Sequence, residues 1–153
     1  MQFIGTKDAQ SIARLNEPVQ NLHCELYPER FKPYDFESVH AYFTKVVNKE
    51  THHFIIGQDL GFNTGYVRFE EIFRAETAFS KATHYVYVHQ ISVSPKYRGR
   101  GIGKALFACV KEFCYARSVD RIGLDYWVEN QKAKEIYEGM GFEPQKEVSY
   151  LNL

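Results

Sequence analysis

The sequence is poor in the residues that cross-link a chain, because only three of its 153 residues are cysteine. Cys24, Cys109 and Cys114 form neither an even set nor a Cys-x-x-Cys pair, which excludes a disulfide framework and a paired-cysteine zinc site. We expect the thiols to be reduced, and this favours a cytoplasmic protein.

Neither sign of charge is in excess, since 19 Lys and Arg balance 19 Asp and Glu. Such a chain has no general attraction to nucleic acid or to an anionic membrane, so any anion site must be local. Long apolar runs are absent too, and the opening "MQFIGTKDAQ" lacks the basic and apolar segments of an export signal. We therefore expect no nucleic-acid partner and no membrane association.

What the sequence does contain is an ordinary apolar content of 44% and an unusual number of aromatic side chains, with 12 Phe and 11 Tyr. A chain of this length can bury one core without cross-links, so we predict a single domain over residues 1–153. The aromatic surplus fits either a bulky core or an aromatic-lined cleft.

Hydrophobic periodicity divides the chain into alternating elements of an α/β (α+β) fold. Helices are predicted after a cap at Thr6 or Asp8, and then over 36–47, 101–117 and 130–141. Strands are predicted at 2–5, 52–58, 65–73, 84–93, 121–128 and 142–152. The second and third strands form a hairpin, whereas a helix joins strand 84–93 to strand 121–128. That crossover predicts a parallel pair within a mixed sheet.

A glycine-rich segment, "SPKYRGRGIGKALF" at 94–107, leads directly into the most regular helix. Glycines permit positive φ and close backbone approach, and first-turn amides together with nearby Arg and Lys attract anions. Neither the nucleotide P-loop nor the dinucleotide fingerprint fits this spacing. The segment therefore predicts a distinct diphosphate cradle, with a solvated turn or an RNA-binding loop as alternatives.

The run Arg98-Gly99-Arg100-Gly101-Ile102-Gly103 matches the Arg/Gln-x-x-Gly-x-Gly/Ala signature of the GNAT superfamily of N-acetyltransferases. "ISVSPKYRG" and "NQKAKEIYEGMGF" also resemble that family, so the similarity covers about 84–142. The resemblance implies a GNAT fold with a sheet of about seven strands, splayed between the fourth and fifth, and about four helices. It also implies acetyl transfer from acetyl-CoA to a primary amine by direct attack. A non-catalytic acyl-CoA-binding or sensing module is the alternative.

The resemblance carries over a set of acetyl-CoA-binding positions. The backbone of Ile91 and Val93 would pair with the pantetheine arm, and the glycine loop would hold the diphosphate. Asn130 would touch the pantetheine, although a helix cap explains it equally. The full set is Ile91, Val93, Arg98, Gly99, Arg100, Gly101, Ile102, Gly103, Lys104, Asn130 and Tyr137.

Two side chains are candidates for proton transfer. The resemblance makes Tyr137 a general acid toward the coenzyme sulfur, and a phenol is protonated at neutral pH. Strand alternation places Tyr87, His89, Ile91 and Val93 on one face. Many relatives carry a carboxylate where His89 stands, so His89 is the candidate base. A structural role for His89, Glu129 as base, and a water chain remain alternatives.

The acceptor is expected to be a small-molecule or peptide amine. By position in the family, His23, Tyr27 and Phe31 are candidate acceptor contacts, and three acidic residues could attract a cationic amine: Glu70, Glu71 and Asp125. No metal is expected, because His52 and His53 are neighbours on a strand and point to opposite faces. The C-terminal strand could pair across a homodimer.

Overall fold

Each of the first two helices begins at an aspartate that caps the free amides of the first turn. In the computed structural model, which describes residues 1–153, α1 covers Ala9–Leu26 and α2 covers Phe36–Val46. Asp8 accepts two main-chain N–H donors at 3.1 Å, and Asp35 accepts one at 2.9 Å. Of the two predicted caps for α1, Asp8 is therefore the one used.

Five strands form one open sheet in the order β1-β2-β3-β4-β5. All neighbours are antiparallel except β4 and β5, which run parallel. The predicted hairpin and the predicted mixed sheet are both confirmed. The strands are β1 (Gln2–Gly5), β2 (His52–Asp59), β3 (Phe62–Arg74), β4 (Thr83–Val93) and β5 (Ile122–Leu124).

The crossover between the parallel strands is α3 (Ile102–Ala116), which follows a single 3-10 turn at Pro95–Tyr97. The last helix, α4 (Gln131–Gly139), comes after β5. The four predicted helices are thus all present. None of them is both long and apolar enough to span a membrane.

The sheet separates two apolar cores. On one face, α1 and α2 pack through residues such as Ile12 and Phe43 against Tyr66 of β3. On the other face, α3 packs through residues such as Leu106 against Val67. The apolar stripe of each helix therefore covers one side of the strands.

A β-bulge in β4 changes which side chains share a face. Arg68 pairs with Gln90 whereas Phe69 pairs with Val88, so His89 is an extra residue in β4. Val88 and Ile91 consequently both pack toward α3. His89 and Gln90 lie on the α1–α2 face instead, so the prediction that His89 shares a face with Ile91 and Val93 is wrong. An inserted residue reverses the alternation beyond it.

The sheet has five strands, and the expectation of about seven is wrong. Residues 143–153 are exposed and form no strand, and β5 is shorter than the predicted 121–128. The alternating apolar residues of the tail indicated a strand, but alternation produces one only where a neighbour supplies hydrogen bonds. The short β5 offers too little edge for that pairing.

We expect Leu106→Ala to lower the free energy of unfolding by about 2–5 kcal/mol, because the fully buried Leu106 would leave a cavity under α3. Urea denaturation measures this change. Tyr115→Ala is the matched control, since Tyr115 lies on the same helix and is 77% exposed. The control should shift stability by about 0.5 kcal/mol or less. Equal losses in the two variants would contradict the assigned core.

Candidate active site

The turn before α3 uses two glycines for their backbone conformation. Gly99 and Gly101 have φ values of +78° and +76°, a region that side-chain-bearing residues adopt at a cost. A Cβ at either position would meet no atom within 4 Å. The space beside both glycines is therefore open, as an approaching ligand requires.

The first turn of α3 has main-chain donors without side-chain caps. Gly101 is the N-cap and offers no side chain, and the first turn contains no acidic residue. These amides and the helix dipole favour an anion at this end. Arg98, Arg100 and Lys104 are exposed around it, and Arg98 Nε also donates to the Val93 carbonyl at 3.2 Å.

The pairing of β4 with β5 ends well before β4 does. Their parallel pairing runs only from Val86–Ile122 to Val88–Leu124, whereas β4 continues to Val93. The edge of β4 beyond Val88 thus has main-chain groups available for an added extended segment. This free edge and the uncapped turn of α3 are the two places where the resemblance expects the pantetheine arm and the diphosphate.

Tyr137 lies beside the segment that follows β5, since its ring centroid is 5.7 Å from that of Tyr126. Burial first, and then the charge of Asp125, raise the pKa of Tyr137. Asp125 follows β5 directly and accepts a hydrogen bond from the Tyr87 hydroxyl at 2.5 Å. The pKa of Tyr87 is raised by burial and by this bond. Asp125 therefore acts on two protonated phenols, through a hydrogen bond to Tyr87 and through its charge on Tyr137. Tyr87 was not among the predicted site residues.

His89 forms part of a histidine–carboxylate group on the α1–α2 face. Its Nε2 lies 2.7 Å from Glu70 Oε2, and His52 Nε2 lies 3.6 Å from Glu70 Oε1. Burial opposes ionisation of Glu70, but the hydrogen bond from His89 and the two neighbouring histidines hold its pKa below the usual value. Of the acidic residues expected to attract an amine, Glu70 is thus occupied by histidines.

The expected separation of His52 from His53 is confirmed. His53 packs on Phe69 toward α3, whereas His52 stacks on His89 across the other face. Ligand atoms of His52, Glu70 and His89 all lie within 4.8 Å of one another, so a metal ion would find donors here. The Arg68 guanidinium is 3.5 Å from His52 Nδ1, and its charge opposes a bound cation. The absence of a metal stays a prediction.

The three candidate acceptor contacts come together at the end of α1. The rings of His23 and Phe31 stack with centroids 5.0 Å apart, and Tyr27 and Phe31 both contact Trp127. Burial lowers the pKa of His23, while the charge of Asp125 opposes that shift. This aromatic wall therefore lies beside the segment that follows β5. Trp127, the only tryptophan, completes it and was missed because its partners are distant in sequence.

Asn130 caps α4, as its alternative explanation predicted. Its side-chain oxygen accepts a hydrogen bond from the Ala133 amide at 3.2 Å. The side-chain nitrogen is not used by this cap. Glu71, the remaining acidic candidate, is buried and paired with His84 and Arg117, so it is not available to an amine.

Sequence comparison connects about two fifths of the chain to N-acetyltransferases. An uncharacterised N-acetyltransferase of Methanocaldococcus jannaschii is 46% identical over 63 residues, which are 40% of this chain and 26% of that protein. N-alpha-acetyltransferase 30 of Saccharomyces cerevisiae is 38% identical over 68 residues, which are 43% of this chain and 39% of that protein. The match thus spans well under half the length of these relatives.

Structure comparison covers the entire chain. The tetramutant of the BH1408 protein from Bacillus halodurans superposes with a TM-score of 0.93 at 24% identity, covering 100% of both chains. At this identity the likeness establishes the fold. The model of the acetyltransferase (GNAT) family matches residues 16–142, which include the glycine loop, the parted strands and Tyr137. This chain belongs to the acetyltransferase (GNAT) family.

Proposed function

We propose that the protein transfers an acetyl group from acetyl-CoA to a primary amine by direct attack. The observation that carries the proposal is that a turn suited to an anion, at the start of α3, lies close to main-chain groups suited to amides, at the end of β4. The uncapped first turn of α3 lies beside the end of β4, since a Cβ on Gly103 would be 3.9 Å from Val93 Cγ2. One extended ligand with a diphosphate can use both.

The end of β4 and the glycine loop would bind different parts of acetyl-CoA. The Ile91 and Val93 backbone would hold the amides of the pantetheine arm, and the amides from Gly99 to Lys104 would hold the diphosphate. The free side-chain nitrogen of Asn130 would donate to the arm from the opposite side. When bound, acetyl-CoA supplies the acetyl group activated as a thioester.

His89 is the proposed base. Because Nε2 faces the Glu70 carboxylate at 2.7 Å, it carries the proton of that hydrogen bond, and Nδ1 keeps its lone pair. His89 Nδ1 would take a proton from the acceptor ammonium, directly or through water. Glu70 fixes the tautomer and stabilises the imidazolium that forms.

Tyr137 is the proposed acid. A phenol whose pKa is raised stays protonated throughout the neutral range. Its hydroxyl would give a proton to the departing sulfur, and the nearby Asp125 charge would favour proton return to the phenolate. The Val93 amide would polarise the acetyl carbonyl.

The acceptor would be a small-molecule or peptide amine that lies against the wall of His23, Tyr27, Phe31 and Trp127. The reaction would take place in the cytoplasm, where the reduced thiols are stable. The exposed tail, which carries Tyr150 and Leu151, would pair with a second copy in a homodimer.

We expect Gly101→Ala to weaken coenzyme A binding about tenfold or more in calorimetric titration, because the loop amides would move. Gly61→Ala is the matched control: its φ is +81° and its surroundings are equally open. Both substitutions should cost about 1–2 kcal/mol of stability from the same backbone strain. Unchanged coenzyme affinity in Gly101→Ala would contradict the proposed cradle.

Tyr137→Phe should reduce kcat by about 100-fold, because loss of a general acid typically costs 10²–10⁴. Coenzyme release measures turnover, and titration should show a much smaller effect on coenzyme affinity, because Phe keeps the ring at this acetyl-CoA-binding position. Tyr115→Phe, at an exposed position of α3, serves as the control. Full activity in Tyr137→Phe would remove its acid role, while binding without turnover in the unaltered protein would favour an acyl-CoA-binding module.

His89→Gln should reduce kcat/KM by about 100-fold at pH 7. The deficit should shrink as pH rises toward 10, because the acceptor amine then loses its own proton in solution. His84→Gln is the control, since His84 lies on the same strand and makes a similar pair with Glu71 at 2.9 Å. A deficit that does not change with pH would indicate a structural role.

A further inference from the structure

Arg68 is a buried cation without an acidic partner. It lies in the middle of β3 with 7% of its surface exposed. No carboxylate oxygen lies within 4.0 Å of its guanidinium. Buried charges in proteins are ordinarily paired, because an isolated one is costly to remove from water.

Neutral neighbours satisfy Arg68 only in part. Its Nη1 donates to the Tyr42 hydroxyl at 2.8 Å, and its Nη2 is 3.5 Å from His52 Nδ1. Its Nε is buried and has no partner. The guanidinium also lies over the Tyr42 ring, 5.4 Å from the centroid. These contacts hold the guanidinium in place, but they leave N–H groups of Arg68 for which the chain provides no hydrogen-bond acceptor.

The guanidinium faces a cavity of about 330 Å³ between α1, α2 and the sheet. Its charged lining residues are Arg68, Lys32 and Asp35, which together carry one net positive charge. The Ser38 hydrogen bonds keep the pKa of Asp35 low, so this count holds at neutral pH. The neutral lining is largely polar and includes Asn16, Gln20, Ser38, Tyr42 and Gln90.

A buried chain of hydrogen bonds orients Gln90 as a further donor. Asn16 Nδ2 donates to the Tyr66 hydroxyl at 2.8 Å, and that hydroxyl donates to Gln90 Oε1 at 3.1 Å. The Gln90 side-chain oxygen is therefore occupied, and its NH₂ group remains to donate. Arg68 and Gln90 are directly opposite each other in the β3–β4 register, so their donors converge.

The same register connects the cavity to the proposed proton-transfer pair. His89 precedes Gln90 on β4, and Glu70 lies two residues beyond Arg68 on the same face of β3. Residues two apart on a strand are separated by about 6.8 Å. A compact molecule can therefore reach the cavity with one end and His89 with the other.

We propose that this cavity binds a carboxylate of the acceptor, so that the acceptor is an amino acid or a related amine bearing a carboxylate. The proposal rests on the proposed acetyl transfer. A planar carboxylate matches the fork of Arg68, with Gln90 and Lys32 as additional donors. A lining with one net positive charge balances a carboxylate, whereas a phosphate would be left with uncompensated charge.

The test compares amines that differ only in the carboxylate. L-alanine, L-leucine, L-phenylalanine, β-alanine and 4-aminobutyrate are each assayed beside their carboxamides, by coenzyme release from acetyl-CoA. Calorimetric titration of the same compounds into the coenzyme-saturated protein gives a readout independent of turnover. At least one acid should bind and react 10-fold or more better than its amide, since sites built for a charged group reject analogues that lack it.

Arg68→Met should reduce this acid-to-amide ratio to about 1 while leaving coenzyme A affinity unchanged. Arg68→Lys should retain part of the preference. Arg14→Met is the control, because Arg14 is an exposed arginine that also lies over an aromatic ring, at 5.1 Å. If Arg68→Met fails to fold, Lys32→Met removes the second cation from an exposed loop position and should lower the ratio several-fold.

The outcomes separate the two proposals. If coenzyme A does not bind the unaltered protein, the proposed acetyl transfer fails, and titration of the acids into the protein alone still tests the cavity. If coenzyme A binds but acids and amides bind and react alike, or none of the acids binds, the carboxylate site is wrong. A preference for acids that persists in Arg68→Met would also overturn it.

Discussion

The extra residue at His89 in β4 is the constraint on which both halves of the proposed site depend. Without it, strict alternation would place Val88 and Ile91 on opposite faces of the sheet, and one of them would leave the α3 core. With it, β4 contributes apolar side chains to the α3 core along its length, while His89, Gln90 and Ser92 make polar contacts on the α1–α2 side. One strand thereby serves two layers of different chemistry.

The two faces accordingly divide the work of the proposed reaction. The α3 side and the free edge of β4 offer main-chain donors, which suit a ligand of invariant structure. The α1–α2 side offers side chains, including a buried arginine, a histidine–glutamate pair and an aromatic wall. Side-chain identity is what distinguishes acceptors, so the proposed specificity would reside in the part of the chain where motif-level resemblance to the family is weakest.

The sequence predicted the elements whose signals are local. The apolar spacing of Ile102, Leu106 and Val110 placed α3, and the glycines before it marked the positive-φ turn. The bulge was missed although the sequence carries its signal, because the consecutive polar residues His89 and Gln90 shift the apolar positions of β4 from Val88 to Ile91. The strand predicted at 142–152 does not form, because a strand requires a neighbouring strand to supply hydrogen bonds. Arg68 was overlooked because only the folded arrangement of α1, α2 and the sheet shows that it is buried without an acidic partner.

The early parting of β4 and β5 has a consequence for the behaviour of the protein in the cell. Beyond Val88 the edge of β4 presents main-chain groups that any extended segment can pair with, including a strand of another molecule. A bound pantetheine arm would occupy this edge and stabilise the native state by mass action. The supply of coenzyme would then control self-association and turnover of the protein itself, as well as its catalysis.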